Sequence, residues 1–479
     1  MTAGTGNKNY SAPKEAFDVV ITHGRVIDPE SKLDAICNVG ITAGRVAAIS
    51  ETPLLGKHTI DASGLVVTPG FIDLHTHTPT PLGERFQVLD GVTSAFDLEA
   101  GGYPVAAYGG RICASPRINF GASVGYSAIR LGVFDGLEVS DLVAGSASRK
   151  DAQAFTRVAT QRELSLLRCD LESGLDSGGL GIGLLLDYMS DAIDDSELKM
   201  IFEVAARANA PIFVHVRRGK MGDVAGLSEM IRLASETGAP VHICHVNASA
   251  MGEVEAWLAR IDDARAAGLD VTTELFPYTA GSTSIGAAVF GRDWRGIFGI
   301  DYSDVQWAAT GEYCNEASWA KYSLECPSGY VIHHYMKEEW IHRALVHPGV
   351  MVASDAMPLI SADTFVPPNG MGTFTRVIGR YARDLSLISL VEAVEKMTLL
   401  PARRLETISP TFRLKGRVQP GADADITIFD PVTVIDNADY RDPLVGATGV
   451  RHVLVNGVSV VRDGLLVEGV TPGSRVLAR

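Results

Sequence analysis

The sequence predicts an α/β protein: a (β/α)8 TIM-like barrel bearing a small discontinuous β-sandwich domain built from both chain ends. Three observations predict it. The chain opens with short β-prone pieces at residues 17–21, 38–41, 45–49 and 64–67, separated by Gly, Asp and Asn turns. From Pro69 to about Leu400 the rhythm becomes strand, loop and longer helical stretch, repeated, as parallel strands with right-handed crossovers require. Short strands then return at residues 425–429, 453–457 and 458–461. Two half-sheets would each bury too little apolar surface alone, so one domain assembled from both ends is expected.

The resulting division is a disordered leader over residues 1–16, a small β domain from 17–68 plus 401–479, and a barrel over 69–400. A formal net charge of -15 argues against nucleic acid or an anionic membrane as partner. The start of the chain is polar, without the apolar core of a secretory signal, and no apolar run reaches the roughly 18–20 residues of a membrane span. Six scattered cysteines with no Cys-x-x-Cys pair suit a reducing cytoplasm. A small-molecule substrate and a homo-oligomer of this chain are expected.

The first barrel strand carries the most informative residues. The apolar run 70–74 delivers His75 and His77, one residue apart, and side chains at i and i+2 share a side of a strand. Two imidazoles on one side suit a divalent transition metal. Further apolar runs end on donors in the same way: Glu99 after 93–98, His215 after 211–214, His245 after 240–244, and Asp355 after 350–354. Taken singly, Glu99 reads more readily as a solvated acid, His215 as a packed histidine and Asp355 as a helix cap. Six nitrogen and oxygen donors at successive strand ends, where barrels place their chemistry, point to one centre.

These residues carry a family resemblance over residues 18–460. The segment 69–77, Gly91-Val92-Thr93-Ser94, 179–183 with Tyr188, His215-Val216-Arg217, 276–283, Ser354-Asp355, 372–376 and the tail motifs 416–417, 420–425 and 455–457 resemble the amidohydrolase superfamily, specifically its D-aminoacylase (N-acyl-D-amino-acid deacylase) branch. The resemblance implies that His75 and His77 bind the more buried metal, that His215 and His245 bind a second, and that Asp355 is the catalytic group, touching the water that attacks. Zn2+ is the expected ion, one or two per site, with Mn2+ or Fe2+ as alternatives.

Two departures bear on the bridge between metals. Many relatives use a carboxylated lysine on strand four, whereas residues 181–188 here contain none; the D-aminoacylase branch often uses a cysteine ending its third strand, where this chain has Glu99. Glu99 is therefore expected to bridge. Arg217 and Arg376 are candidates for a substrate carboxylate, which guanidinium binds as a fork, and a structural ion pair explains each equally well. Tyr278 could donate to that carboxylate or to the oxyanion, and Tyr188 and Asn247 complete the expected substrate contacts. His245-Val246-Asn247 and residues 366–369 depart from the branch near the expected substrate carboxylate. The expected reaction is hydrolysis of a linear amide, of the N-acyl-D-amino-acid deacylase type. Hydrolysis of a cyclic amide or lactone by the same centre, and a catalytically silent binding homologue, are the alternatives. His242, His333 and His334 are expected to be non-ligands, and Trp294, Trp307, Trp319 and Trp340 to pack in a core.

Overall fold

The computed structural model describes residues 16–141 and 151–478. Residues 1–15 of the expected leader lie outside them.

Strands from both chain ends form one sheet, in the order Leu465–Leu466, Val458–Arg462, Val450–Val455, Ile426–Phe429, Val66–Pro69, Phe17–Asp28, Leu33–Thr42, Arg45–Ser50. The two ends meet where Ile426–Phe429 runs antiparallel to Val66–Pro69, with Ile426 opposite Pro69. Phe17–Asp28 changes register between Ile21 and Gly24; its first half pairs with Gly56–Asp61 and its second with Val66–Pro69. The sheet divides there. Ile21, Val39 and Val46 of one arm share a buried core with Val67, Ile426 and Leu454 of the other. Neither arm could bury that face alone.

Eight parallel strands make the barrel: β1 (Phe71–Asp73), β2 (Val92–Gly102), β3 (Asn119–Gly125), β4 (Ile182–Leu184), β5 (Ile212–Val214), β6 (Val241–Ile243), β7 (Val271–Leu275) and β8 (Val350–Val352). Each pairs in parallel with the next in sequence. Closure falls just beyond the ends of β8 and β1, where Asp355 N–H donates to His75 O at 2.8 Å and His77 N–H to Ala356 O at 2.8 Å. Closing the barrel thus brings Asp355 beside the histidine pair.

Below the site the barrel is filled. Ile72, Phe96, Phe213 and Met351 pack with Leu405 and Phe412, which follow β8 in sequence. Helix Leu399–Leu405 runs across the expected boundary at residue 400. With the floor plugged, the open end is the mouth where the strands terminate.

Between β7 and β8 a three-stranded antiparallel sheet, Gly281–Ser284, Tyr330–His333 and Val305–Trp307, covers part of that mouth. The tryptophans between β7 and β8 pack: Trp294 stacks on Trp319 with ring centres 4.8 Å apart, and Trp307 on Tyr322 at 4.4 Å. Among the described residues no helix is long and apolar enough to cross a membrane.

Candidate metal centre and cavity

A cavity of about 290 Å³ opens at the barrel mouth, and His77, Glu99, His215, His245 and Asp355 form part of its wall. His75 lies just beneath. β1 ends at Asp73 and a bend at Leu74 interrupts the alternation, yet His75 and His77 still converge, with Nε2 atoms 3.2 Å apart. Nδ1 of His75 faces Glu274 Oε1 at 3.0 Å, and Nδ1 of His77 faces Asp97 Oδ1 at 3.1 Å. Each carboxylate fixes its imidazole with Nδ1 as donor, so both Nε2 lone pairs point into the same space. His245 Nε2 and His215 Nδ1 also meet, 3.1 Å apart, with Ser249 Oγ rather than a carboxylate behind His245.

Glu99 stands between the two pairs. Its Oε1 lies 2.8 Å from His245 Nε2 and 2.9 Å from His215 Nδ1, while Oε2 lies 3.2 Å from His75 Nε2 and 3.5 Å from His77 Nε2. Two donor trios therefore share Glu99: His75, His77, Glu99 and Glu99, His215, His245, the ligand atoms of each trio within 4.8 Å of one another. Local backbone aims this side chain. Asp97 Oδ1 accepts from Ala100 N–H and Gly101 N–H, and the pairing of β2 with β3 shifts register there, a bulge near the strand end. Gly101 has φ of 65°, where a side chain would be strained and would also strike Ser123. Across β4, a Cβ on Gly183 would lie 2.6 Å from the Glu99 carbonyl oxygen, so the close approach needs glycine. Glu99 lies on the second barrel strand, not the third; β1 is the first strand of the barrel because the strand before it, Val66–Pro69, belongs to the other sheet.

Asp355 Oδ1 is 3.3 Å from His75 Nε2 and 3.6 Å from His77 Nε2. Asp355 and His245 both hold left-handed backbone, φ of 51° and 36°. Such conformations in residues other than glycine cluster at functional sites, where the surroundings enforce them.

The electrostatics suit cation binding. Burial alone would raise Glu99, but His75, His215 and His245 outweigh it and hold the carboxyl well below the usual range. Burial likewise opposes the charge of His75, and the carboxylates of Glu99 and Asp355 override it, raising His75 well above the ordinary histidine value. Burial and the Arg218 guanidinium push His215 down to about 4, so this imidazole is neutral at pH 7, the ligating form. Nitrogens on one tetrahedral zinc at ~2.0–2.1 Å stand roughly 3.3 Å apart. Both histidine pairs match that spacing, and an ion between them turns facing lone pairs from repulsive to bonding. The residues fit a divalent ion in each trio.

The structure brings Tyr188 to the cavity, its hydroxyl donating to Thr283 Oγ1 at 3.1 Å. It does not bring Arg217, Arg376, Tyr278 or Asn247. β5 ends at Val214 and residues 215–219 are irregular, so alternation lapses: Arg217 turns to Glu229 and the Ile193 carbonyl, and its neighbour Arg218 lines the cavity instead. Arg376 donates to Asp436 at 2.8 Å and lies over the ring of Tyr278, 4.8 Å from its centre, so these two occupy each other. Asn247 donates to the Phe276 carbonyl at 2.9 Å. His242 bonds Glu274 and, at 2.8 Å, Thr272 Oγ1. His333 faces the cavity, whereas His334 pairs with Gln306 at 3.2 Å.

Sequence reasoning missed Asp97, Asp187, Arg218 and Glu274. Glu274 had a signal, a carboxylate inside the β-prone run 271–276; Arg218 had none, because only the end of β5 decides which arginine faces inward.

No protein-family model matches the chain. It is 31% identical to an N-acyl-D-glutamate deacylase of Alcaligenes xylosoxydans xylosoxydans, over 93% of this chain and 94% of the relative. That decides the family. The chain belongs to the D-aminoacylase family of amidohydrolases. A D-aminoacylase of the same organism is also 31% identical, over 97% of this chain and 98% of the relative. Among solved structures, the N-acyl-D-glutamate deacylase of Bordetella bronchiseptica, complexed with zinc and a phosphonate mimic of the tetrahedral intermediate, superposes with a TM-score of 0.79, at 28% identity over 97% of this chain and all of the other. Membership makes this amidohydrolase an enzyme of carbon–nitrogen bonds other than peptide bonds.

Proposed function

We propose that this amidohydrolase removes the acyl group from an N-acyl-D-amino acid, using zinc that His75, His77, His215, His245 and Glu99 would hold. One observation carries the reading: Glu99 presents one oxygen to each histidine pair, on the wall of a cavity of about 290 Å³. The zinc-containing relative and the D-amino-acid deacylases of similar sequence support the choice of ion and of substrate class.

When bound there, such an ion lowers the pKa of a water toward about 7 and polarises the scissile carbonyl. The protein's own residues do the rest. Asp355, ionised at neutral pH because His75, His77 and His245 outweigh its burial, takes the proton of the attacking water. It then returns that proton to the departing nitrogen, which leaves only when protonated. Glu274 and Asp97 hold the imidazoles of His75 and His77 in place throughout. Tyr188 and the serine-rich strand Gly281–Ser284 border the substrate space, and Met357, Pro358 and Ile360, just after Asp355, give it an apolar side. Six unpaired cysteines fit a reducing cytoplasm.

Zinc-loaded protein is to be offered N-acyl-D-amino acids, their L-enantiomers, and cyclic amides. Release of free amino acid from D-enantiomers alone is expected. Ring opening without amine release, or no turnover at full zinc occupancy, would overturn the reading.

A further inference from the structure

We propose that Arg218 recognises the substrate's carboxylate and is the residue that makes this amidohydrolase prefer N-acyl amino acids over neutral N-acyl amines. The inference rests on the deacylase reading above and names the group that reads its substrate.

Arg218 lies on the cavity wall, 7% exposed. Its Nε donates to Asp187 Oδ2 at 2.9 Å and its backbone N–H to Oδ1 at 2.9 Å. Nη1 reaches Tyr335 Oη at 3.3 Å, and the guanidinium carbon sits 4.8 Å from the ring centre of Phe298. Among the described residues no acceptor meets Nη2. The head group is thus fixed on three sides, with donor capacity left over where the cavity lies. A guanidinium whose orientation is already fixed loses little entropy in binding a carboxylate.

Charge points the same way. Asp187 is fully buried and shared: Arg292 Nη2 donates to its Oδ1 at 2.6 Å. Two guanidinium groups on one carboxylate leave one positive charge in excess. Arg292 is partly solvated whereas Arg218 is buried, so sharing Asp187 leaves the buried guanidinium incompletely balanced and favours a further anion beside it. The surrounding lid is also polar and incomplete. Ser282 and Ser284, on one lid strand, and His333, on the strand paired with it, each hold a buried polar atom with no protein partner. All three line the cavity. The opposite chemistry, Met357, Pro358 and Ile360, suits an acyl chain.

The reach is right. Asp187 Oδ2 lies 3.7 Å from Nε2 of His215, so a single carboxylate separates Arg218 from the metal centre. In an N-acyl α-amino acid the carboxylate is held a short, fixed distance from the scissile carbonyl. A substrate seated at the centre can therefore extend its carboxylate to Arg218 without leaving the cavity. The competing role is positional: Arg218 could act only by neutralising Asp187 and so steadying His215.

The test separates the two. N-acetyl-D-leucine and N-acetyl-D-leucinamide differ only in the carboxylate, and acetate release from each gives kcat/KM on zinc-loaded protein. Wild type is expected to prefer the acid. Arg218→Gln should lower that preference about ten- to a hundredfold, as loss of a hydrogen bond between charged groups implies, at unchanged zinc content. Arg218→Lys, which keeps the charge and loses the fork, should fall between. Equal slowing on both compounds, or an unchanged preference, overturns the inference. If wild type cleaves neither compound, the deacylase reading fails on its own. Calorimetric binding of the same pair then decides this inference: loss of acid binding alone in Arg218→Gln supports it, and equal heats in wild type and variant overturn it.

Discussion

Oε1 of Glu274 lies 3.0 Å from Nδ1 of His75, so a carboxylate on the seventh strand steers an imidazole that follows the first. The same carboxylate accepts from His245 N–H at 2.7 Å and bonds His242. Glu274→Gln keeps the shape but removes the charge that fixes Nδ1 as donor. Zinc affinity is expected to fall about 10- to 100-fold, read by competition with a chromogenic chelator, with the circular dichroism of the fold retained.

Glu99 is the contact common to both donor trios. Glu99→Gln is expected to reduce the bound zinc by about one ion per chain relative to wild type, measured by inductively coupled plasma mass spectrometry on dialysed protein. Glu99→Cys, which restores a thiolate able to bridge, should retain more zinc than the glutamine variant.

Asp355 touches the histidine pair through one oxygen only. Asp355→Asn removes the proton carrier, and kcat is expected to fall about 10²–10⁴-fold with zinc content within error of wild type. Loss of zinc in step with activity would make Asp355 a ligand instead.

Much of this was legible in the sequence, for physical reasons. A short apolar run ending on a donor marks a buried strand that delivers a side chain to the barrel mouth, and His75, His77, Glu99, His215, His245 and Asp355 all follow that pattern. On the substrate side, Tyr188 was legible and reaches the cavity, but the expected carboxylate-binding groups do not. Arg217 shares parity with His215, but parity holds only while the strand lasts, and β5 stops at Val214. Arg376 and Tyr278 carried the chemistry of carboxylate binding, yet Asp436, 60 residues beyond the first and 158 beyond the second, claims both, at 2.8 and 3.4 Å. Pairings between residues so far apart in sequence leave no local pattern.

Glu84, in helix Pro81–Leu89, is buried and its carboxyl is raised to about 7 by that burial, although Arg117 N–H bonds partly offset it. A carboxyl raised in the folded state keeps its proton where the unfolded chain has released it. Its contribution to stability is complete below the ordinary value of 4.5 and is lost as pH rises through about 7. Glu84→Gln cannot titrate. The variant's Tm is expected to change less than that of wild type between pH 4.5 and 7, measured by differential scanning calorimetry.

The central claim is that donors from distant parts of the chain hold zinc at the barrel mouth and that hydrolysis depends on it. The most direct measurement is zinc content together with deacylase turnover in His75→Asn/His77→Asn protein whose near-ultraviolet circular dichroism matches wild type. The account predicts that bound zinc drops by at least about one ion per chain and that turnover falls below detection. Wild-type zinc content with wild-type turnover would contradict it.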